Sequence, residues 1–119
     1  MRSILVTLIV VLGSSFMLQE EASLERAIGY YQQLKFEKSL EMFDELVMTA
    51  PDDLSLRGRR GFVCYKYIQA VDTRQVGNIS SERYSEVVRD GIEDLNASLA
   101  KYPGNQDNTT ALRYLQARI

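Results

Sequence analysis

Two prolines, Pro51 and Pro103, are the only ones in the chain, and each closes a stretch that otherwise reads as helix. Proline biases the residue before it away from helical geometry and has no amide proton, so a helix has to stop short of it. Between Ala22 and Pro51 the apolar residues recur at intervals of three and four: Leu24, Ala27, Ile28, Tyr31 and Leu34, then Phe36, Leu40, Phe43, Leu46 and Val47. That spacing predicts two amphipathic helices. Almost nothing separates them around Lys35, so they must fold back as an antiparallel hairpin. Asp52 and Asp53 offer side-chain oxygens to cap a third helix from about Leu54. This helix is expected over roughly 54–71 and a fourth over roughly 81–101, with a loop from Asp72 to Asn78 that contains Gly77, and Ser80 or Ser81 as the next cap. After the Pro103-Gly104 turn, Asp107 or Asn108 is expected to cap a last helix, whose Leu112, Leu115 and Ile119 make one apolar stripe.

The stretch AIGYYQQLKFEKSLEMFDELVMTAPDD resembles a tetratricopeptide repeat. With the 34-residue unit set over 20–53, Ala27 takes position 8, Tyr30 position 11, Ser39 position 20, Phe43 position 24, Leu46 position 27 and Pro51 position 32, all residue types the family accepts. Ser23 and Arg26 depart from it, standing where the pattern has an aromatic and a leucine. A second copy begins at Leu54, with Gly61 at position 8 and Cys64 at 11. Counted back from Pro103, it has Gly91 at 20, Leu95 at 24 and Ser98 at 27, with an insertion of about 18 residues around Val71 to Arg89. The resemblance implies an all-α fold, a short tetratricopeptide-like helical-hairpin solenoid of about five helices. Its parts are repeat 1 over 20–53, an enlarged repeat 2 over 54–105 and a final helix over 106–119 that covers the exposed face of the fourth. Small residues at positions 8 and 20 would let paired helices approach closely. Cys64 falls where one helix packs on its neighbour, which favours a buried structural thiol over a reactive one.

In this family the first helix of each pair lines the concave face. The resemblance therefore points to Ile28, Tyr31 and Gln32 in the first unit and Phe62, Tyr65 and Lys66 in the second, beside Glu21, Leu24, Ser55 and Gly58. An exposed aromatic and aliphatic groove of this kind marks a peptide or partner site. The other reading is that the long helices or the insertion fold over these residues and make them core. The family's chaperone-tail clamp needs Lys and Asn at positions 5 and 9 of the first repeat, where this chain has Leu24 and Ile28, so that activity is not expected.

Residues 1–19 carry one charge, Arg2, then the apolar run Ile4 to Leu12 broken only by Thr7, then Gly13, Ser14 and Ser15. This is the layout of a signal peptide with cleavage near 15/16. The run is far short of the ~20 residues a spanning helix needs, so a cleaved leader is favoured over an uncleaved membrane anchor. Asn78, Asn96 and Asn108 each open an Asn-X-Ser/Thr glycosylation triplet. Arg57 and Arg60, with Arg59 between them, share a helix face and could grip a carboxylate or sulfate. The plainer reading pairs them with Asp52, Asp53 or the fourth helix. Glu37, Glu41 and Glu45, with Asp44, read as a solvated face.

The chain has no histidine, one cysteine and a net charge of −2. It therefore lacks an imidazole base, a zinc cage and the basic excess that nucleic acid demands. No catalytic residue, metal or cofactor is expected. The sequence thus predicts a non-catalytic module of the secretory route or the endoplasmic reticulum lumen that binds a protein or peptide, with membrane contact only if the leader stays on. The segment Leu24 to Ala100 is also similar to the lumenal repeat region of aspartyl/asparaginyl β-hydroxylase, which has a cysteine in the helix after the first proline and a lengthened second unit. That likeness implies a stand-alone or truncated relative without the catalytic domain. A homo-oligomer is a further option, since solenoids generally need about three repeats for a continuous core.

Overall fold

A computed structural model of the chain describes residues 21–119, so the leader predicted over 1–19 lies outside the described residues. These residues form five α-helices and no strand: α1 (Leu24–Gln32), α2 (Phe36–Thr49), α3 (Leu54–Asp72), α4 (Ser81–Lys101) and α5 (Gln106–Gln116). Each helix packs on the next, and α3 also touches α5. None of them is long and apolar enough to cross a membrane.

Four of the helices start on a side-chain cap that satisfies a free amide of the first turn. Ser23 accepts from Arg26 N, Asp53 from Leu56 N and Ser80 from Arg83 N, at 3.0–3.1 Å. The last cap differs from expectation. Asn105, not Asp107 or Asn108, accepts from Asn108 N at 3.0 Å, because it follows the Pro103-Gly104 turn directly and draws both later residues into the first turn of α5. Ile119 consequently falls beyond the helix and is 86% exposed, outside the stripe assigned to it.

The first helix of each hairpin ends in the same way. Lys35 N bonds Tyr30 O and Leu34 N bonds Tyr31 O after α1, while Gln75 N bonds Ala70 O and Arg74 N bonds Val71 O after α3. This pair of crossed bonds requires a left-handed residue just past the helix. Leu34 and Arg74 supply it, both with φ 63°. Leu34 therefore leaves the apolar stripe of the first helix and stands 45% exposed. The insertion around Val71 to Arg89 is mostly helix: it lengthens α3 to 19 residues and α4 to 21, leaving the loop 73–80, whose Val76 and Ile79 pack on the core.

The hairpins are drawn together at their small residues. In the first, Ser39 and Ala27 are fully buried, and Ser39 Oγ donates to Ala27 O at 2.7 Å. In the second, a β-carbon on Gly61 would lie 2.7 Å from Leu95 Cγ and 3.0 Å from Gly91 O, and one on Gly91 would lie 2.7 Å from Cys64 Cβ. Helix backbones meet there with no room for a methyl group. Cys64 is buried in this seam, and burial pushes its thiol well above the usual range. Phe43, Ile68, Leu95 and Leu115 fill the core on either side.

Polar anchors pin the helices laterally. Asp94, 1% exposed, accepts from Arg57 Nε at 3.0 Å and from Arg60 Nε at 2.7 Å, so the arginines pair with the fourth helix rather than awaiting a ligand. Arg83 clasps Glu37 at 2.9 and 2.8 Å; its hydrogen bonds hold that carboxyl below the usual range against the pull of burial, with help from Tyr67. Glu41 and Glu45 lie exposed, as a solvated face should. Asp72 collects Tyr84, Tyr114 and Arg118 at 2.6–2.8 Å. Burial opposes ionisation of Asp72, yet its donors outweigh that and its carboxyl is held low.

Two predictions follow from these contacts. Gly61→Ala should lose roughly 1–3 kcal/mol to overpacking, whereas Gly29→Ala, with nothing within 4 Å, should gain up to about 1 kcal/mol of helix propensity. Urea unfolding of the two variants would refute the seam if both moved stability the same way. Depressed carboxyl pKa values at Glu37 and Asp72 mean that their contribution is complete above the unfolded-state values near ~4 and is lost as pH falls through the lower folded values. The thermal unfolding temperature should therefore fall below about pH 4, and less so in Asp72→Asn, which has no proton to take up.

Candidate binding site

The row of aromatic rings on α1, α3 and α5 is set by helical spacing. Phe62 and Tyr65 are three apart on α3, so both face the side where α1 and α5 flank it. Tyr31 meets Phe62 edge-on at 6.4 Å between centroids, Phe62 meets Tyr65 at 5.4 Å, and Tyr65 meets Tyr114 at 5.2 Å. Arg118 stacks on Tyr114 at 3.4 Å, and Lys66 Nζ lies 5.7 Å over the Tyr65 ring. The rings are half-buried. They pack on one another, so the site is neither a fully open groove nor sealed core.

At the Tyr31–Phe62 end the row opens into a pocket of about 490 Å³. Ile28, Tyr31, Phe43, Phe62 and Val63 form its apolar walls, and Ser55, Arg59, Tyr102, Asn105 and Asp107 contribute its polar lining. Ser98 and Asn108 also line it, although they are only 2% and 6% exposed. Their backbones are bonded: Ser98 O accepts from Tyr102 N, and Asn108 N donates to Asn105. Among the described residues neither side chain has a hydrogen-bond partner. Both polar tips converge on Gly58: a β-carbon there would lie 2.3 Å from Ser98 Oγ and 2.9 Å from Asn108 Nδ2. Gly58 was expected on the open face, but its place is in this α3–α4 contact.

Of the residues singled out from sequence, Ile28, Tyr31 and Phe62 come together in the pocket, and Tyr65 continues the row through its ring contacts. Gln32 is exposed at the end of α1 and Lys66 lies beside Tyr65; neither lines the pocket. Sequence reasoning missed the contributions of Ser98 and Asn108. The signal was present, because Asn108, Ala111, Leu112 and Leu115 recur at helical spacing and so place the asparagine on the inward stripe.

That placement also corrects one glycosylation expectation. Asn108 is buried with its amide against Gly58, and the folded domain has no room for a glycan there. Asn78 and Asn96 are exposed. Among the described residues no group of His, Cys, Asp and Glu side chains could hold a metal ion. Comparison with protein-family models, curated proteins and solved structures gives no match.

When the chain is produced in a eukaryotic secretory host, peptide mapping should find glycans at Asn78 or Asn96 and an unmodified Asn108. A glycopeptide containing modified Asn108 from folded protein would refute the packing described at Gly58.

Proposed function

We propose that this protein is a non-catalytic helical-repeat module, secreted or lumenal, that binds a peptide or protein segment across the face of α1, α3 and α5. The observation that carries the reading is the ring row Tyr31–Phe62–Tyr65–Tyr114 running into a pocket of about 490 Å³. Binding sites typically measure about 300–1,000 Å³ and have apolar walls with a few placed polar groups. Half-buried aromatics are the usual anchors of protein recognition. The tetratricopeptide resemblance supports the same face, since the small residues it singles out, Ala27 with Ser39 and Gly61 with Gly91, are those at the close helix contacts. A binding role also suits a chain with no histidine and a single thiol that burial keeps protonated.

The test is selection of a displayed random-peptide library on the purified full chain. Peptides enriched on the wild type should bind at least about tenfold more weakly to Tyr31→Ala combined with Tyr65→Ala, each anchor being worth more than ~1 kcal/mol. Circular dichroism establishes that the double variant is folded. Equal binding to both proteins would overturn the proposal.

A further inference from the structure

The pocket floor is chemically unusual for its depth. A buried hydroxyl or carboxamide without a partner costs about 1–3 kcal/mol, which is why nearly all such groups in proteins are bonded. Two of them, Ser98 Oγ and Asn108, belong to residues that line the pocket beside its apolar walls, and their polar tips press together on Gly58. Nothing among the described residues answers them. A ligand that does must bring a hydrogen-bonding atom to the end of an apolar body, and the walls that body touches are the rings of Tyr31, Phe43 and Phe62. Aromatic groups prefer such edge and face contacts. An aromatic ring with a hydroxyl at its tip meets both demands.

Resting on the peptide-binding reading above, we propose that this pocket takes a tyrosine side chain of the bound segment, with its phenol hydroxyl bonded to Ser98 and Asn108. The hydroxyl accepts from Asn108 Nδ2 and donates to Ser98 Oγ, so neither buried group remains unanswered. The main chain of the segment then passes the polar lining and continues along Tyr65 and Tyr114, which a free small phenol would leave unused. Phenylalanine fills the walls equally well but leaves both floor groups unpaired. A site built around a hydroxyl discriminates on that ground.

The experiment titrates the isotopically labelled full chain with N-acetyl-tyrosinamide, N-acetyl-phenylalaninamide and p-cresol, following the side-chain amide signal of Asn108 by NMR. N-acetyl-tyrosinamide and p-cresol should shift that signal, and the phenylalanine compound should bind about tenfold more weakly than its tyrosine counterpart. Asn108→Leu should keep the fold, since an apolar group replaces an unpaired polar one, and should abolish the preference. Ser98→Ala, which removes one hydroxyl, should reduce it. Equal affinity for the tyrosine and phenylalanine compounds, or an Asn108 signal that does not move, overturns the proposal. Tighter binding of tyrosine-bearing peptides than of p-cresol identifies a peptide as the source of the phenol, whereas equal binding identifies a free phenol and overturns the peptide assignment. Selected peptides that need Tyr31 and Tyr65 but contain no tyrosine refute this inference alone. Phenol binding without any selected peptide refutes the peptide-binding reading instead.

Discussion

The close approach of α3 to α4 is the constraint on which the other features depend. Gly61 and Gly91 bring the two backbones near enough that Cys64 and Leu95 close the remaining space, and no β-carbon fits at either glycine. With the axes this close, Asp94 comes within reach of Arg57 and Arg60 together, and Leu115 can pack over Gly91 from α5. A buried carboxylate is stable only when its partners are held in place, and the seam holds them. The same approach, one turn further along, presents Ser98 to Gly58 and forms the base of the pocket. Core packing and candidate site are therefore one piece of geometry.

Much of this was legible in the residues because it depends on local rules. Helix spacing, the two prolines and the capping residues Asp53 and Ser80 define elements through interactions within a few positions along the chain, and those expectations agree with the helices observed. The misreadings have local causes too. Leu34 carries an apolar side chain at helical spacing, but chain reversal demands a left-handed residue there and overrides the pattern. Asn105 outcompetes Asp107 and Asn108 as a cap because it is the first capable side chain after the turn.

The pocket floor was not legible for a different reason. Whether Asn108 points outward to carry a sugar or inward to line a cavity depends on α5 docking against α3 and α4, a contact between residues some fifty positions apart. The triplet Asn108-Thr109-Thr110 fits both fates. Only burial separates them, and burial is a property of the assembled helices. Tyr31, Phe62 and Tyr65 were easier, because any solenoid of this type places them on one side; their mutual ring contacts and half-burial required the tertiary arrangement.

Gly58 has a consequence for how such a module could diversify. One added carbon there would lie 2.3 Å from Ser98 Oγ and 2.9 Å from Asn108 Nδ2, so any larger residue must displace both side chains. The polar contact between α3, α4 and α5 and the ring row along the flank thus rest on different residues. A lineage carrying this scaffold could remodel the first by substitution at Gly58 and leave the second in place.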